Sequence, residues 1–208
     1  NTETVSWELD SLTKLCLIHS FEGHREFIVD AFEKANHKII FCTPFVSRQS
    51  GYQQDFSKEL LIRTLSRNVD IFFVCRKYDV NLPNFRDYLG DLLVSPYMHI
   101  VIMPAIHLKT VIIDDETIAE GSFNWLSASR DRDSPYHNHE VTLVLKGEGS
   151  RDSIMDFYAS PVGLEITAYE EDDDDETDDS SSESDTDSNP NFHRNNNNYR
   201  NSNSKNNS

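Results

Sequence analysis

HLKTVIIDDETIAEGSFN, the sequence of residues 107–124, carries six chemically distinctive residues at fixed offsets. They are His107, Lys109, Asp114, Gly121, Ser122 and Asn124. The run from His107 to Ile113 is apolar and β-branched, which predicts a buried strand. Alternate side chains of a strand point to one face, so His107 and Lys109 share a face. Asp114 has the opposite parity, and we expect a structural role for it rather than a catalytic one.

The second half of this stretch predicts another strand and a polar turn. Residues 117–120 form the strand, and at Gly121 the missing Cβ lets the backbone or a ligand approach closely. Ser122 and Asn124 follow, just before WLSASR, for which we predict a helix that either residue could cap. An imidazole, an ammonium, a hydroxyl and an amide can therefore converge, as an anionic phosphorus centre requires.

This pattern resembles the HxK(x)4D(x)6GSxN signature of the phospholipase D superfamily, and all six positions match. The resemblance covers roughly residues 20–160 and is similar to one half-domain of that superfamily. Its members cleave or transfer phosphodiesters through a phosphohistidine intermediate, without a metal, at a site built from two such motifs. Because this sequence has one motif, the resemblance implies a site shared by a homodimer, as in the single-motif nucleases.

The resemblance also implies a role for each candidate residue. His107 would be the nucleophile, and Lys109 would bind the non-bridging oxygens with help from Asn124 and Ser122. Glu140 is the candidate to fix the tautomer of His107, because the family has a glutamate downstream of GSxN. One copy of His107 must be neutral and the other protonated, which predicts a bell-shaped pH profile. Neither a cofactor nor a metal is implied.

The polar segment 130–139 separates the motif from Glu140. Its end, HNHE at residues 137–140, could suggest a metal site, but alternating histidines in a polar loop are more often exposed to solvent. Arg130 and Arg132 alternate with aspartates. We predict a solvated loop for them, with phosphate contact at the rim of the site as the alternative.

The remaining sequence alternates between helical and extended patterns. Predicted strands are 12–19, 37–45, 69–75, 98–103, 107–113, 117–120 and 140–146. Predicted helices are 22–36, 56–68, 85–95, one beginning near 124, and 150–160. A strand as apolar as 69–75 is covered on both faces. The sequence therefore predicts an α/β fold, a phospholipase D-like half-domain with a mixed sheet sandwiched between helices.

The formal charge of −17 is unevenly distributed. Residues 165–208 hold 13 Asp and Glu against 3 Lys and Arg, in an acidic, serine-rich run followed by an asparagine-rich end. Such a segment cannot bury enough apolar surface to offset its lost chain entropy, so we predict disorder. The chain then divides into a catalytic domain, 1–164, and a tail, 165–208. The tail is expected to aid solubility, with a phosphorylation target or an internal mimic of nucleic acid as alternatives.

The cysteines and the hydropathy of the sequence indicate the cellular compartment that we expect for the protein. Cys16, Cys42 and Cys75 lie far apart without CxxC pairing, which predicts buried free thiols and a reducing, cytoplasmic compartment. No stretch approaches the roughly 18 apolar residues of a membrane span, and no signal-peptide pattern opens the chain. The first residue is Asn rather than Met, so we expect a piece of a larger multidomain protein.

These observations predict a metal-independent phosphodiesterase, more specifically a nuclease or endonuclease. Overall acidity counts against DNA binding, because phosphates attract Lys and Arg, although a local basic groove can lie on an acidic protein. One alternative is a phospholipase D-type hydrolase or transferase of phospholipids, which calls for an apolar interfacial patch. The other is a non-catalytic nucleic-acid-binding or dimerisation module, which the intact His107, Lys109 and Asn124 disfavour.

Overall fold

The structure, a computed structural model, describes residues 4–8, 12–135 and 137–174. The strands in these ranges are β1 Thr4–Glu8, β2 Thr13–Ile18, β3 Lys38–Thr43, β4 Asp70–Arg76, β5 Met98–Met103, β6 Val111–Ile113, β7 Thr117–Gly121 and β8 Thr142–Gly147. The α-helices are α1 Phe21–Lys34, α2 Lys58–Leu65, α3 Leu82–Leu89, α4 Arg151–Tyr158 and α5 Pro161–Asp174. Helices and strands alternate through the first half of the chain, as predicted.

All eight of these strands form one mixed sheet in the order β1-β2-β8-β7-β6-β3-β4-β5. Strand β4 pairs in parallel with β3 and with β5, whereas every other pairing is antiparallel. The motif strands β6 and β7 therefore lie in the middle of the sheet. Strand β6 pairs antiparallel with β3, whose other neighbour is β4. This position brings the residues that follow β3 next to those that precede β6.

The alternation of side chains along the central strands builds two hydrophobic cores. Ile39 and Phe41 of β3 join the larger core, together with residues of α1, α2 and α3. Ile40 and Cys42 point to the opposite face and join a second core with residues of α4 and α5. Because both faces bury apolar side chains, the predicted α/β fold with a mixed sheet between helices is confirmed.

Two local predictions about the elements were wrong, and one strand was not predicted. The strand predicted from His107 begins only at Val111, although Thr110 O still accepts a hydrogen bond from Cys42 N at 2.8 Å. The segment after Asn124 forms no helix, because Trp125 is fully buried and takes the chain into the core. Strand β1 lies in a polar segment for which no structure was predicted, and it is held by antiparallel pairing of its backbone with β2.

The predicted boundary between domain and tail also needs correction. Helix α5 runs through residue 165, and its residue Ile166 is completely buried in the second core. Burial of this apolar side chain stabilises the helix beyond the predicted boundary. The remainder of the predicted tail, 175–208, lies outside the described residues.

The three cysteines are free thiols, as predicted, but Cys16 is only partly buried, whereas burial was predicted for all three. Cys42 and Cys75 are buried, and burial raises the pKa of both, that of Cys75 to about 12. These two thiols are therefore protonated near neutral pH and serve as apolar packing groups. Among the described residues, none of the helices combines the length and the apolarity that crossing a bilayer demands.

Candidate active site

His107 and Lys109 lie side by side in the segment before β6. Lys109 Nζ is 3.5 Å from His107 Nε2 and donates a hydrogen bond to His107 O at 3.1 Å. The backbone of this segment is fixed from another side, since Trp125 Nε1 donates to Lys109 O at 2.8 Å. His107 is exposed and Lys109 is half-buried. A positive charge therefore stands beside an imidazole that an incoming ligand can reach.

The GSxN turn approaches β8 closely. A Cβ on Gly121 would lie 2.2 Å from Val141 O, so only glycine fits this position without a shift of the backbone. Ser122 N donates to Val141 O at 2.9 Å, and Ser122 Oγ accepts from Val141 N at 3.0 Å. The hydroxyl of Ser122 thus stabilises the turn instead of capping a helix.

Asn124 closes the turn with its backbone, and its side-chain oxygen lies buried beside it. Its carbonyl oxygen accepts hydrogen bonds from Ser127 N at 3.0 Å and Ala128 N at 2.8 Å. Within the part of the chain that the structure describes, Asn124 Oδ1 is sealed from solvent and has no hydrogen-bond partner. A buried polar atom without a partner costs free energy, which is typical of groups kept for a ligand.

Asp114 holds two turns together, away from His107. Its carboxylate accepts hydrogen bonds from Asn36 N at 2.7 Å, His37 N at 2.8 Å and Lys38 N at 3.1 Å. Asp114 itself has a φ of 50°, a left-handed conformation that Asp tolerates better than most residues. These contacts give the aspartate of the motif a structural task, clamping the loop before β3.

Glu140 lies two residues before β8, on a groove of about 630 Å³ between the start of α1 and the polar segment 130–139. The groove is lined, among others, by His19, His24, Phe123, Arg132, His137 and His139. No hydrogen bond joins Glu140 to His107 in the described residues. In the part of the chain that the structure describes, no three His, Cys, Asp or Glu side chains are grouped so that they could hold a metal ion.

Arg130 is buried, which contradicts the predicted solvated loop. Its side chain is only 4% exposed, and its Nε donates to the Asp55 carboxylate at 2.9 Å. The guanidinium also donates to the carbonyl oxygens of Trp125 and Ala128 and lies 5.1 Å from the centre of the Phe123 ring. Arg132 is exposed, by contrast, and pairs with Glu22.

His24 is a buried residue of the site region that the sequence analysis did not single out. Its ring stacks on Phe123 with 4.1 Å between centroids. Nδ1 donates to Ser20 O at 2.7 Å, so the neutral Nε2 accepts from the Thr142 hydroxyl at 2.9 Å. Burial lowers the pKa of His24 to about 4. Its helical spacing from Ile28 and Phe32, which are also buried, is the signal that could have found it.

Comparison with known proteins places this geometry in a family. Residues 28–159 match the family model described as cardiolipin synthase, PLD-like domain. The chain belongs to the phospholipase D-like family. This family membership indicates chemistry on phosphodiesters and confirms the resemblance found in the sequence motif. No curated protein matches the chain.

The chain also resembles solved structures at low sequence identity. Phosphatidylserine synthase of Haemophilus influenzae Rd KW20 matches with a TM-score of 0.50 and 14% identity, over 81% of this chain and 39% of the other. TrmBL2, an archaeal chromatin protein, matches with a TM-score of 0.48 and 12% identity, over 79% of this chain and 54% of the other. Polyphosphate kinase of Porphyromonas gingivalis matches with a TM-score of 0.48 and 13% identity, over 76% of this chain and 30% of the other. The phospholipase D-like chain thus spans less than two thirds of each of these proteins.

Proposed function

We propose that this phospholipase D-like chain is a metal-independent phosphodiesterase, and more specifically a nuclease. The observation that carries the proposal is the 3.5 Å separation of Lys109 Nζ from the exposed His107 Nε2. A nucleophile and a cation at this spacing can contact the same phosphate, the imidazole at phosphorus and the ammonium at a non-bridging oxygen. The side-chain N–H group of Asn124, the donor end of its amide, is a further candidate to bind the phosphate oxygens.

The proposed reaction has two steps. His107 attacks phosphorus, a P–N bond forms, and the P–O bond to the leaving oxygen breaks while that oxygen takes up a proton. Lys109 stabilises the negative charge on the non-bridging oxygens as the pentacovalent state forms. Water then attacks the phosphohistidine and gives a proton to the group that protonated the leaving oxygen, the P–N bond breaks, and the imidazole of His107 is released. Charge stabilisation in both steps comes from side chains of the protein.

The proton for the leaving oxygen is proposed to come from His107 of a second copy. The sequence contains the HxK motif once, and the exposure of His107 leaves it accessible to a second copy. In a shared site one imidazole acts as the nucleophile and the other as the general acid. The rate is then expected to fall on both sides of an optimum pH, because each imidazole must hold a different protonation state.

Cleavage assays in EDTA test the chemistry. The purified chain is incubated with single-stranded DNA, duplex DNA and RNA, beside His107→Ala and, as a matched control, His37→Ala, which removes an exposed histidine at another loop. Cleavage that survives chelation, persists in His37→Ala and is lost in His107→Ala supports the proposal. Absence of cleavage with all three nucleic acids, or cleavage retained by His107→Ala, contradicts it.

A mixing experiment tests the shared site. An excess of His107→Ala protein is equilibrated with wild-type protein, so that most wild-type subunits pair with a mutant subunit. Activity per wild-type subunit is expected to fall, whereas an excess of His37→Ala should not lower it. If sedimentation shows a monomer whose activity the His107→Ala protein does not change, the shared site is wrong.

A phospholipid substrate is the second candidate. The matching family model is that of cardiolipin synthase, and Leu108, between the two site residues, is 37% exposed. Phosphatidylcholine vesicles in the same assay distinguish the candidates. Turnover of the lipid that depends on His107, without cleavage of any nucleic acid, would assign the site to phospholipids.

A further inference from the structure

A surface beside His107 combines two exposed aromatic rings with two cations. Phe45 is 38% exposed and Tyr78 is 74% exposed. The guanidinium of Arg76 lies 5.9 Å from the centre of the Phe45 ring, and Lys77 Nζ lies 5.7 Å from that of Tyr78. We call Phe45, Arg76, Lys77 and Tyr78 the aromatic platform. It offers flat apolar faces and positive charge together.

The topology of the sheet puts this platform at the candidate active site. Phe45 follows β3 and Arg76 ends β4, and the carboxyl ends of these parallel strands meet at one edge of the sheet. Ligands of open α/β sheets bind at this edge. The centroid of the Phe45 ring lies 6.1 Å from that of the His107 ring, so the platform is directly adjacent to the proposed nucleophile.

Backbone hydrogen bonds hold the platform in place. The Asp79 carboxylate accepts from Val46 N at 2.5 Å and from Asn81 N at 2.8 Å, which ties the loop after β3 to the loop after β4. Lys77 N donates to Met103 O at 2.8 Å. Among the described residues, Asp79 forms no ion pair with Arg76 or Lys77, so both cations remain available to a ligand.

The platform borders a groove of about 500 Å³ whose lining includes both aromatic rings, Arg76, Val80 and Ser127. This volume falls within the roughly 300–1,000 Å³ of ordinary ligand sites. Val80 is 85% exposed and adds apolar surface at the rim. A concave site with exposed rings and cations suits a ligand that is flat and apolar in one part and anionic in another.

We infer that the aromatic platform binds the unpaired base and the backbone phosphate next to the cleaved bond, so that the protein prefers single-stranded nucleic acid. Bases stack on aromatic rings in a manner that tolerates any sequence, and neighbouring cations bind the phosphates. A duplex keeps its base faces stacked inside and cannot use the rings. The inference rests on the proposed nuclease function and names its substrate class.

The positive charge of the platform also explains how a chain with a negative net charge could bind nucleic acid. The chain has a formal charge of −17, yet Lys109 lies beside His107, and Arg76 lies over the Phe45 ring that neighbours His107. Affinity for nucleic acid depends on the cations that contact phosphates. We therefore expect binding that is strong only at low salt.

Binding is measured by fluorescence anisotropy on the full chain carrying His107→Ala, which prevents cleavage. The probes are a short fluorescein-labelled DNA strand and its duplex. The single strand should bind more tightly, and Tyr78→Leu should weaken its binding about tenfold while Tyr78→Trp restores it. Ile62→Ala, which truncates a 52% exposed side chain on α2, is the control and should bind normally. Tyr78 is exposed enough for its variants to fold, which thermal unfolding verifies.

A second pair of variants measures the cations. Arg76→Gln should lower the slope of log affinity against log salt by about one, as expected for the loss of one phosphate contact. Arg63→Gln removes an exposed arginine on α2 that lies 3.7 Å from Glu33, and it should leave the slope unchanged. Equal slopes for the two variants would overturn the role of Arg76.

Other outcomes overturn the inference as a whole. These are equal affinity for strand and duplex, no binding of either probe, or a Tyr78→Leu variant that binds like Ile62→Ala. Loss of binding to phosphatidylcholine vesicles in Tyr78→Leu, with nucleic-acid binding unchanged, would assign the platform to lipid. If nucleic acid is cleaved through His107 but Tyr78→Leu leaves KM unchanged, the inference alone fails. If Tyr78 supports binding of the single strand and nothing is cleaved, the proposed nuclease function alone fails.

Discussion

Arg130 Nε donates a hydrogen bond to the Asp55 carboxylate at 2.9 Å, and the two side chains are 4% and 0% exposed. The same guanidinium binds the carbonyl oxygens of Trp125 and Ala128, so it fixes the backbone that follows Asn124. Burial lowers the pKa of Arg130, while the charge of Asp55 raises it. This buried ion pair therefore anchors the turn that carries Asn124.

Removing one partner of this pair should strongly destabilise the fold. Asp55→Ala would leave the guanidinium of Arg130 buried without its counter-charge, which typically costs about 3–5 kcal/mol. Chemical denaturation measures the free energy of unfolding. Asp30→Ala, which removes the exposed pair with Lys34 on α1, is the control and should cost less than about 1 kcal/mol. Equal losses in the two variants would show that burial of the pair does not stabilise the fold.

Asp114 should prove to be structural. Asp114→Ala removes the acceptor of three backbone amides and puts alanine at a φ of 50°, so we expect a loss of about 2 kcal/mol. Asp115→Ala is the matched control, because Asp115 has a φ of 54° but accepts one side-chain hydrogen bond, from the Tyr158 hydroxyl. Asp115→Ala should lose less stability.

Catalysis gives the second measurement on Asp114. Folded Asp114→Ala protein should retain most of its kcat, whereas Lys109→Ala should lose it because the charge on the phosphate oxygens is no longer stabilised. A loss of kcat in Asp114→Ala as large as that in Lys109→Ala, with unchanged stability, would make the aspartate catalytic.

Local sequence patterns predicted the parts of this molecule that depend on neighbours in the chain. The strands β3 and β4 are continuous apolar runs, and their burial on both faces followed from that pattern. The approach of Lys109 to His107 was predicted from their spacing of two residues, although the strand assumed for it begins only at Val111. These features require no knowledge of distant contacts.

The features that the sequence did not reveal depend on contacts between distant segments. Asp55 and Arg130 are 75 residues apart, so their spacing carries no signal, and Arg130 was assigned to a solvated loop. The segment after Asn124 has helical composition, but the buried Trp125 and the carbonyl bonds of Arg130 hold it in another conformation. Tertiary contacts override local propensity at this site.

Gly121→Ala should damage both stability and activity. The new Cβ would meet Val141 O and Thr142 Oγ1, 2.2 and 2.6 Å from its ideal position, and the strands β7 and β8 would have to separate. We expect a loss of about 1–3 kcal/mol in thermal or chemical unfolding, with lower kcat because Ser122 shifts too. In the control Gly149→Ala, the new Cβ would meet the buried side chain of Thr13, 2.5 Å from its Cγ2, outside the candidate site, so this variant should lose stability without the loss of kcat.

His24 should make the stability of the fold depend on pH. Burial lowers its pKa from 6.5 to about 4, so the unfolded chain binds a proton at a pH where the folded chain does not. Stability from this residue is therefore fully present above pH 6.5 and is lost as the pH falls towards 4. Between pH 7 and pH 5 the free energy of unfolding should decrease by about 2 kcal/mol through this group.

Substitution isolates the contribution of His24 from that of the many carboxylates. His24→Gln keeps a side chain that can hydrogen-bond with Ser20 O and the Thr142 hydroxyl but does not titrate, so its unfolding free energy should change less between pH 7 and pH 5. His37→Gln, at an exposed position, should keep the pH dependence of the wild type. The free energy of unfolding is measured by urea titration at each pH. If it depends on pH equally in His24→Gln and His37→Gln, the proton released on folding does not come from His24. The neutral, hydrogen-bonded state of His24 would then be wrong.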